Sequence, residues 1–434
     1  MHENCVSIEE FVSEVQKLQR RISELEKKLA WYENPHTPPS MRINNYPVRE
    51  KSDRPVGKPK GSPGGTKILK NPDKVLDVKM DNCRRCKKKL TEPIGYKVRR
   101  IIEAPPVQKS KIVEYRLADY GNCGCGARNI ASHPQCPAKG NASASTLALV
   151  QDLRITERLS IGLSLRFLRE RFGISITQGS VVSFTNRTAE FLKHKHFELV
   201  VKIRNSKCLY IDETGFYLNG KRIWMWIFTN GKDTVIAIKP SRGSNVIKNI
   251  LGDNFRGVIV SDCYSAYLCY KARYQKCWAH ILREARRFAQ ESEEGKLIYT
   301  ELKKIFDRMR SFIDSNPSDD ARQQENLFAL KCLDALTSRH YEDPGICRLI
   351  KRLHKYRECW FTCIVVPGVE PTNNTAERGL RPHVVIRRMR GSLRSEQSVE
   401  NYQILGSLMS TWDSQGLDPG KQLETELCSV FDRS

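Results

Sequence analysis

From Lys207 onward three strand-length runs follow one another closely, and their connections leave few folds open. Residues 207–218, 222–229 and 233–239 are rich in Ile, Val, Phe, Trp and Tyr, and Asn219-Gly220 joins the first two. Asn-Gly between two such runs marks a two-residue hairpin, because both positions tolerate the positive φ that this turn requires. The three runs therefore predict an antiparallel meander. The pattern then changes to a helix (244–251), an apolar run (257–261), a helix (264–270), a short strand (275–277) and a helix from about 280. A short, continuous apolar run between helices is how a parallel strand buried on both faces reads. One mixed sheet is expected. Residues 283–360 are helical in character and are expected to form an insertion within the same domain.

Three carboxylates punctuate this pattern. Leu209-Tyr210-Ile211-Asp212-Glu213-Thr214 ends an apolar run in Asp212, Val258-Ile259-Val260-Ser261-Asp262 does the same, and Pro371-Thr372-Asn373-Asn374-Thr375-Ala376-Glu377-Arg378 opens a helix carrying Glu377. That is the layout of an RNase H-like nuclease core, in which acids from distant segments hold two divalent cations for in-line phosphoryl transfer. Each residue also has a plainer reading. Asp212 suits a strand end, and Asp262 suits a turn. Glu377 would close a capping box with Asn374 at the N-cap and pair with Arg381 one turn on. On elements in this order the three together favour the metal site. Glu213 is expected on the opposite face of the strand from Asp212.

The remaining segments read as separate modules. Ile8, Phe11, Val15, Leu18, Ile22, Leu25, Leu29 and Tyr32 alternate steps of three and four, the seam of a coiled coil over residues 1–33. Residues 34–75 hold Pro, Gly and basic residues without apolar period and read as a cationic linker that includes Lys58 and Lys60. Over 76–140, Cys83-x-x-Cys86 and Cys123-Gly-Cys125 supply four thiolates for a structural zinc, with Cys136 the alternative member; strands are expected at 97–103 and 111–120. Residues 141–205 place a helix from Leu159 to Phe172, a turn at Gly173 and a helix from about Gln178 to Leu192, the outline of a helix-turn-helix. The catalytic domain then spans 206–395, and a helical tail spans 396–434. The fold class is thus a multidomain α+β chain.

The net charge is +24, and it is uneven: residues 42–70 hold eight basic and two acidic residues, and residues 378–394 hold six arginines and no acid. Such stretches attract polyanions, so double-stranded DNA is the expected partner, with Arg378, Arg381, Arg387, Arg388, Lys58 and Lys60 as phosphate contacts. No segment approaches the ~18 apolar residues of a membrane span, and the N-terminus lacks a secretory pattern. A cytoplasmic, nucleoid-associated location is expected.

Asp212-Glu213-Thr214, Ser261-Asp262-x-Tyr264-x-Ala266-Tyr267, Cys277-Trp278-Ala279-His280 and Asn373-Asn374-x-Ala376-Glu377-Arg378-x-Leu380-Arg381-Pro382 resemble the transposases of the insertion sequence 66 family. The likeness continues through Arg387 to Gly391-Ser392 and extends to the zipper, linker and zinc module. It implies a DDE transposase that cuts element ends and joins them to target DNA, using Asp212, Asp262 and Glu377 to hold two Mg²⁺ or Mn²⁺ ions. His280 is read as a site residue near the scissile phosphate, against a structural role beside Trp278. A homodimer or larger assembly on DNA is expected, with accessory proteins as further partners.

Overall fold

The computed structural model describes residues 16–19, 21–25, 74–82, 84–99, 109–125 and 127–432. They fall into two units, residues 44–109 and residues 1–43 with 110–434. In the smaller unit a tight turn carries Cys86: Asn82 bridges to Lys89, and the Leu90 N–H donates to Asp81 O at 2.8 Å. Cys83, Lys58 and Lys60 lie outside the described residues. Of the expected coiled coil, residues 16–19 and 21–25 are described and helical, with Leu18, Ile22 and Leu25 exposed.

The centre of the larger unit is a five-stranded sheet of β3 (Cys208–Leu218), β4 (Lys221–Thr229), β5 (Thr234–Lys239), β6 (Val258–Ser261) and β7 (Tyr274–Lys276). Its order is β5-β4-β3-β6-β7. The β3–β4 and β4–β5 pairs are antiparallel, and β3–β6 and β6–β7 are parallel. Asn219 and Gly220 turn β3 into β4 with φ of 49° and 75°, as the hairpin reading requires. This mixed order is consistent with an RNase H-like core. Two short exposed strands, β1 (Asp119–Asn122) and β2 (Arg128–Ile130), pair separately. Here the structure departs from expectation, since residues 97–99 and 111–118 carry no strand. An alternating pattern becomes a strand only where a partner takes up its backbone groups, and pairing starts where Asp119 meets Arg128 in an ion pair of 2.6 Å.

Both faces of the sheet are covered. On one, Tyr210, Phe216, Met225, Ile227 and Ile236 pack against α6 (Trp278–Glu291), α7 (Glu293–Asp314), α8 (Asp319–Thr337), α9 (Pro344–Lys355), α10 (Thr362–Val365) and α11 (Asn374–Arg390). On the other, Leu209, Ile211, Trp226, Phe228 and Val235 meet α1 (Ala144–Ile155), α3 (Gln178–Phe191), α4 (Lys193–Arg204), α5 (Ser244–Leu251), α12 (Glu396–Ser414) and α13 (Pro419–Asp432). The short α2 (Ile161–Phe167) runs into a π turn that Gly173 ends at φ 68°, so the helix-turn-helix outline is present and shares the core of the sheet. Residues 264–270, expected to be helical, hold a single 3₁₀ turn at Ser265–Tyr267, because Asp262 caps the Tyr264 N–H and turns the chain tightly.

Two devices complete the layers. The edge strand β5 would present unpaired N–H groups. Instead Gln403, Ser407 and Thr411, one turn apart on α12, accept from Ile238, Ile236 and Thr234 at 2.7, 2.8 and 3.0 Å. The helical insertion is anchored by two fully buried tryptophans: Trp278 Nε1 donates to Trp360 O at 2.7 Å, and Trp360 Nε1 donates to Leu353 O at 3.0 Å. No helix among the described residues is long and apolar enough to cross a membrane.

Candidate active site

Strand alternation divides Asp212 from Glu213. Asp212 shares its face with Tyr210 and Phe216, while Glu213 follows Leu209 and Ile211 to the other. Glu213 is buried there and engaged: Arg242 donates to Oε1 through Nε at 2.8 Å and Nη2 at 2.6 Å, and the Tyr267 hydroxyl bonds the other oxygen. Arg242 is itself seated over Trp224 and Tyr264. Glu213 is thereby a structural acid, as the strand period implied.

Asp212, Asp262, Glu377 and His280 all remain partly accessible. Burial pushes the Asp212 carboxyl well above its ordinary range, and the charges of Glu213, Asp262 and Glu377 push it further. Asp262 and Glu377 therefore lie within electrostatic reach of Asp212, although one follows β6 and the other begins α11. His280, one turn into α6, holds Nε2 3.7 Å from Glu377 Oε1.

Backbone contacts around Asn373 bring these segments together. The Cys277 N–H donates to Ser261 O at 2.9 Å, joining the start of α6 to the strand before Asp262. The Trp278 N–H donates to Pro371 O at 3.1 Å. Asn373, almost fully buried, gives its Nδ2 to Ile211 O at 2.8 Å and its N–H to Cys277 Sγ at 3.1 Å. Asn373 also corrects the expected cap. It, not Asn374, is the N-cap of α11, it makes no side-chain cap bond, and its side chain reaches across to β3 instead. Glu377 likewise pairs with His280 and not with Arg381, whose side chain is exposed. Gly379 lets the helix lie close on the sheet: a Cβ there would sit 2.6 Å from Ile227 Cδ1.

A residue the sequence did not single out supports the Asp262 turn. Lys276 is fully buried, and its Nζ donates to Asp262 O at 2.7 Å and Ser261 Oγ at 3.2 Å. The rings of Tyr267, Tyr274 and Tyr356 surround it, and burial lowers its pKa. A lysine closing an otherwise buried strand was the available signal.

The donor set suits a hard divalent cation. It is carboxylate oxygen, its charges repel one another, and two buried acceptors, Glu377 Oε1 and Asn373 Oδ1, receive no hydrogen bond from the protein. Cys277, His280 and Glu377 also place possible ligand atoms within 4.8 Å of one another. The Cys277 thiol, however, is pushed up to about 12 by burial and accepts the Asn373 N–H, so it is a neutral strut of the turn.

Of the six cations expected at DNA, Arg378, Arg381 and Arg388 are exposed on α11, and their spacing sets them on one side of the helix beside Glu377. Arg387 is different. It is buried and bonds Thr214 Oγ1 at 3.2 Å and Gly215 O, so its guanidinium braces β3 and does not face solvent. Of the expected zinc ligands, Cys86, Cys123 and Cys125 are exposed free thiols, and Cys136 is half-buried. Hydrogen bonds from Cys125 lower the pKa of Cys123.

The model of the family described as "Transposase IS66 family" matches residues 139–401, a span that holds all three carboxylates and the Asn373 junction. The chain belongs to that family. The chain is also similar to an uncharacterized protein, y4qI, of Sinorhizobium fredii (strain NBRC 101917 / NGR234), with 23% identity over 288 residues. That match covers 56% of this chain and 52% of the relative, so the chain spans about half the length of the curated relative it matches.

The raised carboxyl pKa values give a pH dependence of definite sign. For Asp212 and Glu213 the folded state binds protons more tightly than the unfolded state. Their contribution to stability is therefore present at low pH and lost as pH rises through the folded-state values. In chelated protein, thermal melting should show Asp212→Asn gaining on wild type, by about 2 °C or more, as pH rises from about 5 to about 8. Mg²⁺ or Mn²⁺ should stabilise wild type increasingly over the same window and the variant much less. Equal metal responses in the two proteins would remove Asp212 from the cation site.

Proposed function

We propose that this protein is a DDE transposase that cleaves the ends of an insertion element and joins them to target DNA. The observation that supports the reading is the electrostatic influence of Asp262 and Glu377 on Asp212, from three elements tied through Asn373. Divalent ions bound by these carboxylates would activate the attacking oxygen and stabilise the leaving oxygen of an in-line displacement. The chain's own part is to hold the acids and orient the strand. Arg378, Arg381 and Arg388 draw backbone phosphates along α11 toward Glu377, and Lys276 and Asn373 keep Asp262 and Asp212 in place. His280 stands beside Glu377, where it contacts the scissile phosphate or its leaving oxygen. In the first step water attacks the phosphorus at the element end, the P–O3′ bond breaks, and a 3′-hydroxyl is released. In the second that hydroxyl attacks a target phosphate, and the target's 3′-oxygen leaves.

Asp212→Asn, Asp262→Asn and Glu377→Gln should each lower cleavage of end DNA by at least about a thousandfold, the scale of losing a key electrostatic contact, while DNA binding persists in a mobility-shift assay. Cleavage retained in one variant would take that residue out of the triad. Cleavage without joined product would make the protein a nuclease instead.

The reading extends to a structural zinc held by Cys83, Cys86, Cys123 and Cys125, which would order a module with little apolar core of its own. Elemental analysis of unchelated protein should find about one zinc per chain, lost in Cys86→Ser and Cys123→Ser. Zinc lost in Cys136→Ser but kept in Cys123→Ser would replace Cys123 in the ligand set.

Residues 1–33 are proposed as the dimer contact, because exposed Leu18, Ile22 and Leu25 sit at seam positions of the heptad. Light scattering at matched salt, with and without end DNA, should show a dimer for the full chain and loss of mass per complex on deleting 1–33. An unchanged assembly state after deletion would mean that the zipper is not the contact.

A further inference from the structure

Outside the carboxylate site, the larger unit contains a cavity of about 460 Å³ between α1, α3, the end of α11 and the start of α12. Four arginines line it (Arg154, Arg387, Arg390 and Arg394), and no Asp or Glu does. The rest of the wall is largely apolar, including Ile161 and Phe216.

Three buried donors facing this space have no acceptor among the described residues. Gln151 is fully buried; its Oε1 accepts from Thr185 at 3.1 Å, but its Nε2 has no partner in the protein. Arg154 Nη1 and Arg390 Nε are likewise buried and unpartnered. Burial, and after it the charge of Arg390, lower the Arg154 pKa to about 10. The acid nearest in sequence, Asp152, is turned toward Thr156, Glu157 and Asp418. Arg390 Nη2 donates to Leu159 O at 3.3 Å, but the two guanidinium groups, within electrostatic reach of each other, share a wall without an Asp or Glu. Interior cations are ordinarily paired, so the missing partner is an anion. The N-terminus of α12, at Ser395 and Ser398, adds its positive end to the same space.

A bare phosphate would leave most of the cavity unfilled, whereas its volume is that of a small-molecule site. We propose that this cavity receives a single unpaired nucleotide of the bound DNA, with its phosphate on Arg154 and Arg390 and its base against Phe216 and Ile161. The proposal rests on the reading of the chain as a DNA-acting transposase. The elements that line the cavity also carry the active site. Phe216 lies four residues beyond Asp212 on β3, a rise of about 13 Å. Arg390 lies thirteen residues beyond Glu377 on α11, a rise of about 20 Å. At about 3.4 Å per nucleotide along a strand, the captured nucleotide lies roughly four to six positions from the scissile phosphate. Unstacking it costs least where the strand is already open, so the pocket favours frayed or single-stranded ends.

The test uses the full chain and two fluorescein-labelled probes, a 30-base-pair duplex and the same duplex with four unpaired nucleotides at one end. Wild type should bind the frayed probe about tenfold more tightly, the scale of one base–aromatic contact. Arg154→Gln, Arg390→Gln and Val182→Trp, which narrows the cavity without removing a cation, should cut that advantage to about twofold or less. The two arginine variants should also flatten the salt dependence by about 0.9 in log–log slope, and Val182→Trp should not. Circular dichroism melts identify any variant that misfolds, and Val182→Trp keeps the test open if an arginine variant does. A frayed-end advantage retained in folded variants would overturn the proposal. So would its loss only on addition of inorganic phosphate, which marks a simple anion site, or stabilisation by free dAMP with DNA preference unchanged in the variants, which marks a free-nucleotide site. Strand cleavage by wild type is read separately: its absence would sink the transposase reading and leave the frayed-end measurement standing.

Discussion

Asn373 is the residue on which the geometry of the carboxylates turns. Its side chain donates to the carbonyl of Ile211, the residue before Asp212, and its backbone N–H donates to Cys277, whose own N–H holds Ser261, the residue before Asp262. Its carbonyl accepts the Glu377 N–H at 3.1 Å. Asn373 thus lies one hydrogen bond from Glu377, one bond and one residue from Asp212, and two bonds and one residue from Asp262. A neutral hydrogen bond contributes only about 1 kcal/mol to stability, so the significance of this cluster is positional. The neighbours of all three acids are thereby tied to one junction, although Asp262 lies 50 residues beyond Asp212 and Glu377 lies 115 beyond Asp262.

Charge then separates the roles within one dipeptide. Asp212 and Glu213 are adjacent and both raised in pKa, yet the buried Glu213 has Arg242 and Tyr267, while among the described residues the partly accessible Asp212 accepts just the Glu213 N–H at 3.0 Å. The protein thus answers one acid from within and leaves the other with a single backbone donor. The same contrast recurs in the arginines of α11. Arg387 is satisfied by Thr214 and Gly215, whereas Arg378, Arg381 and Arg388 are exposed.

Much of this was legible in the residues themselves. Period-two alternation set Asp212 and Glu213 on opposite faces, Asn219-Gly220 fixed the hairpin, and the change from meander to α/β alternation gave the mixed sheet. Local rules failed where a tertiary partner outbid them. The string from Asn374 to Glu377 fits a capping box, but Asn373 is drawn across to β3 and shifts the helix start by one. Residues 264–270 fit a helix, but Asp262 turns the chain first. Arg387 looked like its exposed neighbours, since i,i+1 residues on a helix differ only by the face they take. The role of α12 was least visible: Gln403, Ser407 and Thr411 carry no apolar signal, yet they close the edge of the sheet. Such pairing depends on a partner some 170 positions away, which no local pattern encodes.

α11 shows why the same element can serve both fold and chemistry. A helix is positive at its N-terminus and negative at its C-terminus, so an acid in the first turn and cations in the last are stabilising. Glu377 occupies the first turn, and Arg387, Arg388 and Arg390 occupy the last. The same polarity sets an acid at the start of the helix and arginines at its end, with Arg387 turned to β3 and Arg388 exposed. Pro382 lies between them and removes one backbone donor, a local loss that burial of Ala376, Leu380 and Ile386 against the sheet offsets. Because a helix rises about 1.5 Å per residue, the separation between Glu377 and Arg390 is set by the chain itself.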